Sequence, residues 1–124
     1  MKLRIKGDSI RVRLSKSEVD AFQQHGYIEE STNFGNATLT YALQRTAEGN
    51  GLSAGFESNK VTLFMPAADA DTWTSTERVG YERNMEIGDG KQLYLLLEKD
   101  FKCLDNTNED QSDMYENPLA EFHK

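Results

Sequence analysis

Shifted by 51 residues, the first half of this chain lays its apolar pattern over the second, and that repeat limits the possible folds more than any other feature. Leu3, Ile5, Ile10, Val12 and Leu14 fall on Ala54, Phe56, Val61, Leu63 and Met65. Val19 and Phe22 fall on Ala70 and Trp73. After a three-residue insertion Gly26-Tyr27 aligns with Gly80-Tyr81, and Leu39, Tyr41 and Leu43 align with Leu93, Leu95 and Leu97. Strand-like alternation on either side of a short helical stripe, written twice, predicts a duplicated ββαββ unit. The expected fold is α+β, with about eight antiparallel strands and two short helices in one domain over residues 1–104. Its pseudo-repeats are 1–50 and 51–104. Such strands either close into a barrel or form two packed sheets. Closure removes exposed sheet edges, which favours a barrel-like arrangement.

Local chemistry fixes several boundaries. Gly7-Asp8 has glycine where a type II′ hairpin turn needs it, and this sets Ile5 opposite Ile10 and Leu3 opposite Val12. Ser15-Lys16-Ser17-Glu18 is a capping box, with Leu14 and Val19 placed as its hydrophobic staple. The helix it opens should end near His25, with Gly26 as the left-handed stop. Strands are expected at 27–32 and 37–45, joined by Asn33-Phe34-Gly35-Asn36. Pro66 is a suitable start for the second helix.

The first hairpin is apolar on one face and cationic on the other. Lys2, Arg4, Lys6, Arg11 and Arg13 share the polar face, and the register puts Arg4 opposite Arg11 and Lys2 opposite Arg13. Like charges directly opposite each other destabilise a sheet. The equivalent positions in the second half are Ser53, Gly55, Glu57, Thr62 and Phe64, so the repeat does not need cations there. Either neighbouring acids lace this face, or it meets an external anion through converging guanidinium groups. The five cations are therefore the candidate ligand-binding residues.

The rest of the chain narrows the choice. The net charge is −7, which speaks against general binding of nucleic acid or an anionic membrane and leaves only a local basic patch. No apolar run approaches a membrane span. A strand starting at residue 1 or 2 leaves no stretch for a signal peptide, and a single cysteine, Cys103, forms no internal disulfide. A soluble cytoplasmic protein is the expectation. His25 suits a helix C-terminus, His123 lies near the end of the chain, and no serine or cysteine has triad spacing, so no catalytic residue is assigned. Cys103 has no companion ligands for zinc. Asp105, Thr107, Glu109, Asp113 and Glu116 have calcium-loop spacing, but Asp110 stands where that loop needs glycine, so no metal or other cofactor is assigned. Trp73 should pack in the core as Phe22 does. Phe64, Tyr94 and Leu96 are compatible with a partner or homodimer surface.

From Asp105 the apolar pattern stops, and residues 105–124 form an acidic tail. Within residues 105–117 the acids Asp105, Glu109, Asp110, Asp113 and Glu116 match the five hairpin cations in number. The expectation is that residues 105–117 fold back over the hairpin as its resident counter-ion.

The chain resembles a family of small bacterial proteins of unknown function. The likeness is carried by Arg4-Ile5-Lys6-Gly7-Asp8-Ser9-Ile10-Arg11, Thr32-Asn33-Phe34-Gly35-Asn36, Glu98 to Asp105, Glu109 to Asp113, and Tyr115-Glu116-Asn117-Pro118. That resemblance implies a self-contained single domain with the acidic tail as part of the native protein, and brings no activity. In architecture the chain also resembles the CYTH-type triphosphate tunnel enzymes, duplicated eight-stranded barrels lined by Arg and Lys, whose arginine strand is similar to Ile10-Arg11-Val12-Arg13. Their opening glutamates are absent here, where the strand reads Lys2-Leu3-Arg4-Ile5-Lys6. The expected function is non-catalytic binding of a phosphorylated or polyanionic ligand on the basic hairpin. The alternatives are a phosphohydrolase acting on a triphosphate or phosphate ester, with Glu57, Glu82 and Glu98 as substitute metal ligands, and a structural protein–protein module.

Overall fold

A computed structural model describes residues 1–101 and 113–116. The elements run β1 (Lys2–Ile5), β2 (Ser9–Leu14), α1 (Lys16–His25), β3 (Tyr27–Asn33), β4 (Thr38–Thr46), β5 (Ser53–Glu57), β6 (Lys60–Pro66), α2 (Ala67–Ser75), β7 (Gly80–Gly88) and β8 (Lys91–Lys99). The local devices read in the sequence are present. Glu18 accepts the Ser15 backbone N–H at 2.9 Å, Gly26 ends α1 at φ 69°, and β1 meets β2 in the register expected of a Gly7-Asp8 turn.

The strands form two four-stranded sheets, ordered β1-β2-β8-β7 and β3-β4-β6-β5. This corrects two expectations. The sheets are open rather than closed into a barrel, and they are mixed rather than wholly antiparallel. Each sheet combines the first hairpin of one half with the second hairpin of the other through a central parallel pair, β2 with β8 and β4 with β6. The edges are blunted by charge and brevity instead of closure. Lys2 and Arg4 stand on four-residue β1, Glu82 and Glu86 on β7, Glu29 and Glu30 on β3, and Glu57 on five-residue β5.

The pairing register is the same in both halves. Ile10 faces Leu95 as Val61 faces Tyr41, and Leu3 faces Val12 as Ala54 faces Leu63. One detail of the alignment changes. Tyr27 pairs with Gln44 and Gly80 with Glu98, so Gly80 is the counterpart of Tyr27, and one of the three inserted residues lies instead at the irregular β7–β8 turn.

Val12, Leu14, Leu95 and Leu97 of one sheet and Leu43, Leu63 and Met65 of the other belong to a single buried cluster. Val19 and Phe22 of α1, Ala70 and Trp73 of α2, and Leu52 complete it, with the Phe22 and Trp73 rings edge to face at 6.2 Å. The Trp73 indole N–H finds the Val79 carbonyl at 2.9 Å. Among the described residues no helix is long and apolar enough to cross a membrane.

The same locus in the two halves carries opposite charge. The Met1 α-ammonium is bound by Glu18 and, at 2.6 Å, by Glu30. In the second half the counterpart of Met1 is Leu52, whose carbonyl accepts from Arg83, the counterpart of Glu30, at 3.0 Å. Carboxylate and guanidinium thus anchor equivalent backbone just ahead of β1 and β5.

The described part of the tail does not lie on the basic hairpin. Asp113 sits at the N-terminus of α1, accepting the Ser17 N–H at 3.0 Å and the Ser17 hydroxyl, while its carbonyl accepts the Lys16 N–H. A carboxylate suits that helix end, where backbone N–H groups lack internal partners. Met114 is buried, and Tyr115 pairs with Phe101 in an isolated parallel bridge. Asp105, Glu109, Asp110 and Cys103 lie outside the described residues, as does His123.

Two predictions follow from this packing. A β-carbon on Gly80 would lie 2.0 Å from the Leu97 carbonyl oxygen, whereas one on Gly55 would meet only a ring carbon of Phe64 at 3.7 Å. Gly80→Ala should therefore cost upward of about 2 kcal/mol in urea unfolding, with Gly55→Ala close to neutral. Hydrogen bonds from Ser17 and Ser15 hold the Asp113 carboxyl below its ordinary value. A depressed carboxylate stabilises the fold above the unfolded aspartate value of about 3.9 and loses that contribution as pH falls through the folded value. Melting curves of wild type and Asp113→Asn should differ most at neutral pH and converge in acid.

Candidate anion-binding face

The apolar side of β1 and β2 is turned to the core by Leu3, Ile10 and Val12, so strand alternation sends the five cations to the outer face of the sheet. They lie outside, not within a tunnel. Arg4 is directly opposite Arg11, and Lys2 opposite Arg13.

The two ends of this face differ in their pairing. Near the helix end, Lys2 Nζ lies 3.0 Å from Asp100 Oδ2, and Arg13 Nε lies 2.7 Å from Glu98 Oε1 on the adjacent β8. Toward the hairpin turn, the side chains of Arg4, Lys6 and Arg11 have no hydrogen bond or salt bridge among the described residues. The reason is visible in the register. The β8 neighbour of Arg11 is Leu96, and the next residue across, Glu82 on β7, accepts the Tyr94 hydroxyl at 2.5 Å. That hydrogen bond raises the Tyr94 phenol above its usual value, while the nearby Arg11 charge acts in the opposite direction.

Two shallow hollows flank the Arg4–Arg11 pair. One, of about 110 Å³, is lined by Arg4, Lys6, Ser9 and Arg11. The other, of about 140 Å³, is lined by Lys2, Leu3, Arg4, Arg11 and Arg13. Small-molecule sites commonly span roughly 300–1,000 Å³, so these hollows suit a single phosphate-sized group, or successive groups of a longer anion, rather than a whole organic ligand. Ser9 adds a hydroxyl that the sequence reasoning overlooked; strand alternation alone puts it on the same face as Arg11.

The acids considered for a metal-dependent site do not converge. Glu98 is engaged by Arg13 and Glu82 by Tyr94, both on this face, whereas Glu57 is on the opposite sheet. Among the described residues no three His, Cys, Asp or Glu side chains are grouped to hold a metal. The residues equivalent to the five cations occupy the outer face of β5 and β6 and include no cation.

Fold and face together define an α+β protein of two packed mixed sheets with a basic outer hairpin. The chain belongs to a family of unknown function, DUF7009, which it matches over residues 1–119. No curated protein and no solved structure matches it.

The opposed arginines carry a measurable cost. Arg11→Thr, which installs the residue found at the equivalent Thr62, should raise stability by a few tenths to about 1 kcal/mol. The gain should shrink at high ionic strength, where exposed charges are screened. Urea unfolding at low and high salt checks both statements.

Proposed function

We propose that this protein is a duplicated ββαββ module whose first hairpin binds a phosphorylated or polyanionic ligand without turning it over. The observation that carries the reading is the Arg4–Arg11 pair: two guanidinium groups directly opposite each other, with Lys6 nearby and no acid paired to any of the three among the described residues. A matching strand pair in the other half manages without them. Guanidinium groups present planar donor pairs suited to phosphate oxygens, and several together outcompete water for a multiply charged anion. The small size of the hollows favours a ligand that lies along the face with exposed anionic groups. The scattered, engaged positions of Glu57, Glu82 and Glu98 favour binding over hydrolysis.

Titration calorimetry with inorganic triphosphate at low salt tests the proposal. Arg4→Ala and Arg11→Ala should each weaken binding about tenfold, the equivalent of 1.4 kcal/mol, and added salt should weaken it further. Lys60→Ala on the other sheet should leave it unchanged. Equal affinity across all these variants would remove the hairpin from consideration, and release of phosphate with added magnesium would replace binding by hydrolysis.

A further inference from the structure

We propose that a second, chemically different site lies at the helix end of the molecule: a recess that binds a small monocarboxylate carrying an apolar or aromatic body. The recess measures about 390 Å³, within the range of small-molecule sites. It lies where the end of α2 and the end of β8 meet the returning segment 113–116.

Lys99 provides the anion-binding group. It is only 5% exposed, yet among the described residues its ammonium has one hydrogen bond, to the Thr76 carbonyl at 2.7 Å. Among the described residues no carboxylate is within salt-bridge distance of it. A lysine has three donors, and a buried charge without a counter-ion is costly. The Thr76 carbonyl at the end of α2 accounts for one donor, and the rings of Trp73 and Tyr115, with centroids 6.0 and 5.4 Å away, offer only partial compensation. Burial holds the Lys99 ammonium below its ordinary value, with the charge of Glu77 acting the other way.

The other half again serves as a control. The counterpart of Lys99 is Arg45, which is exposed and forms a two-pronged ion pair with Asp71 of α2. The counterpart of Asp71 is Asp20 of α1, which makes no such pair with Lys99. Instead Tyr115 is near both, its phenol raised by burial and by the charge of Asp20. The returning segment has thus put an aromatic wall where the first half has a salt bridge, and a cation is left facing a recess.

The lining sets the ligand class. Tyr115 stands edge to face with Phe101 at 5.8 Å and, with Val79, offers an apolar wall. Lys16 at the rim lies 5.8 Å from the Tyr115 ring centre and adds a second cation. Glu77 and Glu116 also line the recess. Their charges would repel a phosphate dianion more strongly than a single negative charge. The preference is therefore opposite to that of the basic hairpin.

The test uses 3-phenylpropionate, its neutral amide and phenyl phosphate with the full chain, followed by calorimetry and by amide NMR shifts. The carboxylate should bind and move the signals of residues 99–101 and 113–116, while the amide and the phosphate should each bind at least about tenfold more weakly. Lys99→Met should abolish the preference for acid over amide. Should that variant not fold, Lys16→Met at the rim should still weaken the acid selectively, and Asp113→Asn, which loosens the segment holding Tyr115, should weaken acid and amide alike. Arg4→Ala and Arg11→Ala should change nothing, which separates this site from the hairpin. No binding of the carboxylate, equal binding of acid and amide, or shifts confined to the hairpin would each overturn the proposal.

Discussion

Two parallel strand pairings, β2 with β8 and β4 with β6, determine everything else in this molecule. Each central strand contributes leucine, valine or methionine to the buried cluster and has a hydrogen-bonded partner on both sides. The β2–β8 pairing brings together hairpins from the two ends of the described fold, while β4–β6 joins consecutive hairpins, and in both cases each half completes a sheet begun by the other. The helices then close over the common interior through Phe22 and Trp73. The basic hairpin is positioned by the same constraint. Its apolar face must pack inward against the opposite sheet, so its cations can only face out.

The two candidate sites show how one architecture can carry different electrostatics. At the hairpin, cations gather where β8 offers a leucine instead of an acid. At the opposite end, a lysine is enclosed by aromatic rings and a helix-end carbonyl instead of a carboxylate. In both places the equivalent position of the other half shows the ordinary solution: side chains that include no cation on β5 and β6, or the Arg45–Asp71 ion pair. The halves share strand register and differ in charge.

Features governed by near neighbours were legible in the sequence. The hairpin register followed from Gly7 and the two-residue alternation, and α1 from its capping box. Sheet partnership was not legible, because it is decided by packing between strands of different hairpins, as far apart as Ser9 of β2 and Tyr94 of β8. A signal was nevertheless present: Leu93-Tyr94-Leu95-Leu96-Leu97 is a nearly continuous apolar run, which suits a central parallel strand better than a half-solvated antiparallel one. The barrel expectation failed because edge protection has a second solution, and the charges on β1, β3, β5 and β7 supply it. The five cations were legible as a set, but only coordinates divide them into paired Lys2 and Arg13 and the group around Arg4 and Arg11. Lys99 looked like an ordinary strand end; its burial depends on Trp73 and on residues 113–116, a relation no local pattern encodes.

The exchange of hairpins between halves has a kinetic corollary. A ribosome delivers β2 (Ser9–Leu14) long before β8 (Lys91–Lys99), so the first sheet lacks its central partner until every other strand of the fold has been made. During that interval the backbone edge of β2 is unpaired, and its apolar face has no permanent cover. The cations on its other face are then an advantage unrelated to any ligand: two nascent copies would bring five like charges against five. Mutual repulsion would keep a waiting hairpin from pairing with its neighbour, and the same charges that strain the finished sheet would guard its assembly.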